Sequence, residues 1–359
     1  MTAIAYTGAR VFDGDSLCDG HALVIDGARV AAITPESALA PDIAGMYLPG
    51  GCLAPGFVDL LVNGGGGVMF NTAPTIETLA TIAAAHARLG ATTILPTLIT
   101  DTPEVTLAAI SAVVDALDEN VPGIAGLHLE GPHLCPARKG AHAGTLIRPM
   151  TAADEDMLIA AADKLPVLKV TLAPEAVTPE QIGRLTYAGI IVSLGHSDCT
   201  VEEAEAAQVA GATCVTHLFN AMSQMTARAP GLVGVALSNG ALSAGLIADG
   251  IHVHPANMRA ALAAKAGPGG IFLVSDAMAP AGSDITRFEL TGREIQRADG
   301  RLTIADGTLA GADLDLATAT RNVHALGVDL AEALNMATSR PAQVAGLSGG
   351  QGHLAPDGP

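Results

Sequence analysis

The chain is expected to fold as an α/β protein, a (β/α)8 barrel of the TIM type joined to a small β-sandwich-like module built from its N-terminal and short C-terminal segments. Three observations predict this. Between residues 57 and 275, eight short apolar runs alternate with amphipathic segments, the rhythm that requires a parallel sheet with crossover helices. The stretch is near the roughly 250 residues that such a barrel takes. Four of the runs end on Glu130, His196, His217 and Asp276. A barrel brings such strand ends to one mouth, whereas an open doubly wound sheet, the runner-up, gathers ligands mainly at its switch point.

Residues 1–54 form the module. Its β-type runs at 3–6, 22–25 and 29–33 are punctuated by Asp13-Gly14 and Asp26-Gly27, which are hairpin signals. The character changes at Leu53-Ala54-Pro55-Gly56, where the barrel domain, 55–344, begins. Barrel strands are expected at 57–62, 92–98, 124–129, 168–172, 190–194, 213–216, 243–247 and 271–275. Helices are expected at 76–89, 103–117, 152–164, 179–187, 201–210 and 255–266, where apolar residues recur at helical spacing. Beyond the eighth strand, 284–304 reads as a hairpin around Asp299-Gly300, and 314–326 and 330–337 return to helix. The tail from 348 to 359 is rich in Gly and Pro and shows no element. Residues 345–359 are expected to complete the module only in part.

With 359 residues and 49% hydrophobic content, the chain can fill a substantial core. Eighteen basic against 36 acidic residues leave a net charge of −18, a field that repels nucleic acid. No apolar run reaches the length that spans a bilayer. The N-terminus lacks the basic flank and apolar core of a signal peptide, so a cytoplasmic location is expected. Cys18, Cys52, Cys135, Cys199 and Cys214 follow no paired spacing and read as reduced thiols.

The pivotal stretch is Leu127-His128-Leu129-Glu130-Gly131-Pro132, a strand that stops just after a carboxylate. Gly195-His196-Ser197, Thr216-His217-Leu218 and Ser275-Asp276-Ala277 end their apolar runs in the same way. A catalytic divalent-metal site needs about three such ligands and one open position for water. Glu130, His196 and His217 fit the ligand role. Asp276, with no charged neighbour in sequence, is assigned as general base and then acid, with a fourth ligand or a structural cap as its other reading. The first strand, where a second metal would be sought, offers Leu61 and Asn63. Leucine cannot ligate and Asn is a weak donor, so one metal is expected.

Around these stand candidate substrate contacts: Ala141 and His142, the latter able to polarise a carbonyl; Asn220 and Ala221, whose backbone could hold an anion; and Arg228 and His252, cations suited to phosphate. Each taken alone reads equally well as a solvated surface residue. His128 is expected in the core or behind a ligand, His86 on a helix surface, and the Gly64–Gly67 run as a tight loop beneath a ligand.

Together, Pro55-Gly56-Phe57-Val58-Asp59, Leu95-Pro96-Thr97, Gly126 to Pro132, Gly195-His196-Ser197, Thr216 to Met222, Ala248-Asp249-Gly250-Ile251-His252-Val253 and Ser275-Asp276-Ala277 resemble the N-acetylglucosamine-6-phosphate deacetylase family of the amidohydrolase superfamily. The resemblance implies hydrolysis of the N-acetyl group of N-acetylglucosamine 6-phosphate to glucosamine 6-phosphate and acetate, in amino-sugar catabolism or cell-wall sugar recycling. It implies one Zn2+ or Fe2+ per subunit on Glu130, His196 and His217, with Asp276 as acid/base. Substrate contacts would come from His142, Ala141, Asn220, Ala221, Arg228, His252 and the backbone of Leu309, Ala310 and Gly311. It also implies a homodimer in which Arg228 and His252 reach the neighbouring subunit's site. The family usually has Gln where this chain has Leu61, and continues past the point where this chain stops; the product is either naturally short or truncated. Alternatives are a deacetylase of N-acetylgalactosamine 6-phosphate and a catalytically silent barrel that binds sugar phosphates.

Overall fold

The computed structural model describes residues 3–356 and 358. Residues 1, 2, 357 and 359, which the expected module boundaries include, lie outside the described residues. The first β-run and its neighbours make a four-stranded sheet, with Ile4–Thr7 between His21–Asp26 and Ala44–Tyr47 and with Arg29–Pro35 outermost. Arg10–Phe12, Leu17–Cys18 and Cys52–Leu53 form a three-stranded one. Both Asp-Gly signals mark hairpins: Phe12 pairs with Leu17 across the first, and Asp26 with Arg29 across the second. The described residues of the tail fasten onto this module without forming a strand, as Leu354 donates its N–H to Asp13 O and Val30 donates to Gly358 O.

Eight parallel strands follow in sequence order around one sheet. They are β1 (Phe57–Val62), β2 (Ala91–Ile99), β3 (Leu127–Glu130), β4 (Leu168–Leu172), β5 (Ile191–Leu194), β6 (Cys214–Val215), β7 (Ser243–Leu246) and β8 (Ile271–Leu273). The sheet closes through a parallel bridge between Val62 and Ala277, with Asp276 N–H on Leu61 O and Asn63 N–H on Ala277 O. A (β/α)8 barrel, and not the open sheet, is the architecture.

The outer helices are α1 (Ile76–Arg88), α2 (Pro103–Asp118), α3 (Ala152–Ala162), α4 (Pro179–Tyr187), α5 (Val201–Val209), α6 (Gly231–Ser238), α7 (Pro255–Ala264) and α8 (Leu316–Ala325). The first five start on a threonine whose hydroxyl accepts a backbone N–H: Thr75, Thr102, Thr151, Thr178 and Thr200. Helix α6 was not among the expected helices. Its sequence, GLVGVALS, is buried from Gly231 to Leu237 and has no polar face, so no helical alternation can reveal it.

After β8 the chain builds a second four-stranded sheet from Arg287–Leu290, Arg293–Ala298, Arg301–Thr303 and Leu309–Ala312. Asp299 and Gly300 both have positive φ, 51° and 70°, as the expected two-residue hairpin turn demands. Ala312 N–H donates to Asp276 O, which seats this sheet against the mouth of the barrel.

One expectation is corrected. His86 is buried, not on the surface, with its Nε2 3.0 Å from Gly64 O. The glycine run is the expected tight loop: Gly64–Gly65 pairs with Val68–Met69 in a hairpin that packs on α1. A Cβ on Gly65 would come 3.0 Å from the His86 ring, so the close approach of hairpin and helix admits a larger residue there only if the ring shifts.

Candidate metal centre and catalytic cavity

At the C-terminal ends of the barrel strands lies a cavity of ≈ 240 Å³ lined by residues that include Asn63, Glu130, His142, His196, His217 and Asp276. Of the larger hollows among the described residues, those of ≈ 730 Å³ beside the 346–354 tail, ≈ 590 Å³ between α4 and α5 and ≈ 340 Å³ beside Arg297 bring no histidine together with a carboxylate, and that of ≈ 330 Å³ has only the solvent-facing pair His353 and Asp15, 4.0 Å apart. Chemistry rather than volume marks the site.

Glu130 is the last residue of β3, and both histidines stand just past their strands. Glu130 Oε1 lies 3.3 Å from His196 Nε2 and 3.2 Å from His217 Nε2. The two imidazole nitrogens are 3.0 Å apart. Ligands about 2.0–2.2 Å from a tetrahedral ion stand roughly 3.3–3.5 Å from one another, so this triangle fits a divalent cation. Glu130 Oε1 is buried without a hydrogen-bond partner, an orphan that a cation would satisfy.

The His196 tautomer agrees. His196 Nδ1 is 2.8 Å from the Arg138 carbonyl, which only accepts, so the proton sits on Nδ1 and Nε2 offers its lone pair inward. Burial opposes ionisation of Glu130, but the His142, His196 and His217 rings hold its pKa well below the ordinary carboxylate range. It is an anion at neutral pH.

His142 is the alternative nitrogen. Its Nε2 is 3.6 Å from Glu130 Oε2, and Glu130, His142 and His196 present ligand atoms within 4.8 Å of one another. Its Nδ1, however, takes the Thr100 N–H at 3.3 Å and faces the Thr100 hydroxyl at 2.8 Å. With Nδ1 accepting, Nε2 carries the proton and points a donor into the cavity. Burial and the neighbouring His196 lower the His142 pKa to about 4, so the ring is neutral at pH 7.

Asp276 is buried, and Asn63 Nδ2 donates to its Oδ1 at 2.7 Å. Burial first, and the Glu130 charge second, push its pKa up to about 7. A carboxylate poised there can both take and give a proton near neutrality. His196, His217 and Asp276 also share a rare backbone state, with φ of 47°, 30° and 50°. Non-glycine residues with left-handed backbone are strained, and three of them turning side chains into one cavity is the pattern of a functional site.

Of the other expected contacts, Ala141, Asn220, Ala221, His252, Leu309 and Gly311 line this cavity. Ala310 is buried behind it and does not line it. Arg228 is exposed on the segment before α6 and stands outside the cavity wall. His128 lies under the site in a buried polar layer, with Thr97 Oγ1 at 3.1 Å, Thr171 Oγ1 at 2.7 Å and Lys169 Nζ at 3.3 Å. Sequence reasoning missed Ile99, Gly140, Ile247, Met278 and Thr308 in the lining. Ile99 ends β2 and Ile247 follows β7, so the strand-end rule extended to apolar residues would have found both.

Comparison with known proteins agrees with this geometry. Residues 52–357 match the Amidohydrolase family and residues 4–53 the NagA composite domain. The chain is 43% identical, over 94% of its length and 85% of the relative's, to a protein of Shewanella sp. (strain ANA-3) named N-acetylgalactosamine-6-phosphate deacetylase. It is 36% identical to the N-acetylglucosamine-6-phosphate deacetylase of Haemophilus influenzae, over 91% of this chain and 85% of that one. Its fold superposes on the crystal structure of N-acetylglucosamine-6-phosphate deacetylase from Pasteurella multocida with a TM-score of 0.92, at 35% identity, covering 98% of this chain and 92% of that one.

Proposed function

The chain belongs to the amidohydrolase family, and from that premise we propose that it hydrolyses the N-acetyl group of N-acetylglucosamine 6-phosphate, giving glucosamine 6-phosphate and acetate. The observation that carries the proposal is the 3.0–3.3 Å triangle of Glu130, His196 and His217, with Asp276 in the same cavity. Those three residues would hold one divalent cation, Zn2+ or Fe2+. A cation there supplies Lewis acidity and lowers the pKa of water.

The chain's own groups account for the rest. Asp276, held by Asn63 through Oδ1, keeps Oδ2 free to take the proton of the attacking water and hand it to the departing amine nitrogen. His142 aims its Nε2–H at the carbonyl oxygen and stabilises the charge that develops there. Ala141, Asn220, Ala221, Leu309 and Gly311 shape the walls around the sugar, and Ala310 packs the buried side of the Leu309–Ala312 strand behind them. His252, expected to reach a neighbouring subunit's site, lines this chain's own cavity and would meet the phosphate there. Arg228, exposed beside the similarly exposed Met225, is suited to reach the site of a second subunit in a homodimer. We assign residues 1–54 to the small module and 55–344 to the catalytic barrel. The five cysteines are free thiols, in keeping with a cytoplasmic enzyme, and no helix among the described residues is long and apolar enough to cross a membrane.

The galactosamine epimer is the second reading, favoured by the name of the 43% identical relative. Metal analysis of the purified protein with acetate release from both 6-phosphorylated epimers tests the proposal. Turnover should require the metal and the glucosamine epimer should be preferred. Metal-loaded protein that binds either sugar phosphate but releases no acetate would refute hydrolysis.

A further inference from the structure

Asp249 has no task in the chemistry above, yet its carboxylate is fully engaged. It lies on the turn that leaves β7, and its Oδ1 accepts the N–H groups of Ile251 and His252, both at 2.8 Å. Its Oδ2 lies 2.6 Å from His252 Nδ1, with the two side chains only 6% and 8% exposed. One oxygen therefore holds the turn, and the other serves the ring alone. Burial works against the charge on Asp249, but the His252 ring and the two backbone N–H groups overcome it and hold the pKa below the ordinary carboxylate value. His252 lines the catalytic cavity, and among the described residues no protein group bonds its Nε2.

We infer that Asp249 is a positioning residue that sets specificity for a phosphorylated sugar: it fixes His252 with Nδ1–H inward, so that the ring meets the substrate phosphate at Nε2 as an imidazolium. The inference rests on the reading of His252 as the phosphate contact. A ring clamped between a carboxylate and a phosphate carries both protons, and both its bonds are charge-assisted. Without the carboxylate, a single proton must serve one side or the other. In a chain with a net charge of −18, a local cation is what lets an anionic substrate settle.

The test uses the metal-loaded full chain and Asp249→Asn. The amide keeps an oxygen for the two backbone N–H groups but presents an NH2 to the ring, which becomes neutral with its proton on Nε2. KM for the 6-phosphorylated sugar should rise about tenfold, with kcat little altered. The preference in kcat/KM over unphosphorylated N-acetylglucosamine should fall by the same factor. Calorimetric titration with inorganic phosphate should show a matching loss of affinity. A purely structural role would leave all three as in the wild type, because the turn survives; that result overturns the inference. So does an equal loss of kcat on both sugars.

His252→Gln, with Asp249 intact, provides a second variant that does not disturb the turn. It too must weaken inorganic phosphate, and wild-type phosphate affinity in it also overturns the inference. If the wild type releases no acetate from either epimer while phosphate binding still depends on Asp249, the proposed hydrolysis fails and the anion clamp stands.

Discussion

Glu130 is the one acidic corner of the triangle. Glu130→Gln should lose bound metal and activity together, read by metal analysis and acetate release. Asp276→Asn should keep its metal, because Asp276 is outside the ligand triangle, and lose roughly 10²- to 10⁴-fold in kcat. The two candidate triads separate in the same experiment: His217→Ala should strip the metal and His142→Ala should retain it with a lowered kcat. The reverse result would make His142 the ligand and overturn the tautomer argued from Thr100. Strand ends that finish on Glu, His, His and Asp were readable because each sits at the close of an apolar run. The Asn63–Asp276 bond was not, since its partners are 213 residues apart.

The helices were readable where they have two faces and a cap. Thr151, Thr178 and Thr200 each complete a reciprocal capping box with the side chain three residues on, and these signals survive in any context. Thr200→Ala should cost about 1 kcal/mol in urea unfolding, with activity retained. The hairpin over α1 is a different case, for its glycine packs against a histidine on another element. Gly65→Ala should destabilise by roughly 1–3 kcal/mol, since the new methyl must displace the buried His86 ring. Sequence periodicity placed His86 on a helix and could not tell which face another element covers. Helix α6 escaped for the related reason that burial all round leaves no pattern.

For the molecule as a whole, the acid response follows from ion pairs on the barrel's outer layer. Arg148 chelates Asp154, and Arg184 chelates Glu155, joining the segment before α3 and helix α4 to the start of α3. Burial opposes ionisation of Asp154, but Arg148 and Thr151 lower its pKa; Arg184 does the same for Glu155. Both folded-state values lie below the unfolded ones. Their stabilisation is therefore fully present above the ordinary carboxylate range, about pH 4, and is lost as pH falls through the folded values. Asp154→Asn should flatten the acid limb of a stability-against-pH curve measured by urea midpoints, and leave the curve near pH 8 lower but parallel.

Local chemistry determined the barrel class, the order of its strands, the capped helices and the inventory Glu130, His196, His217 and Asp276, because alternation, turn residues and strand ends are properties of neighbours in sequence. Closure decided the rest. Only when Val62 meets Ala277 do the strand ends converge to 3.0–3.3 Å, Asn63 reach Asp276, and the sheet after β8 bring Leu309 and Gly311 to the mouth. Distances and proton positions within a site depend on groups far apart in the chain, and folding alone brings those groups into contact.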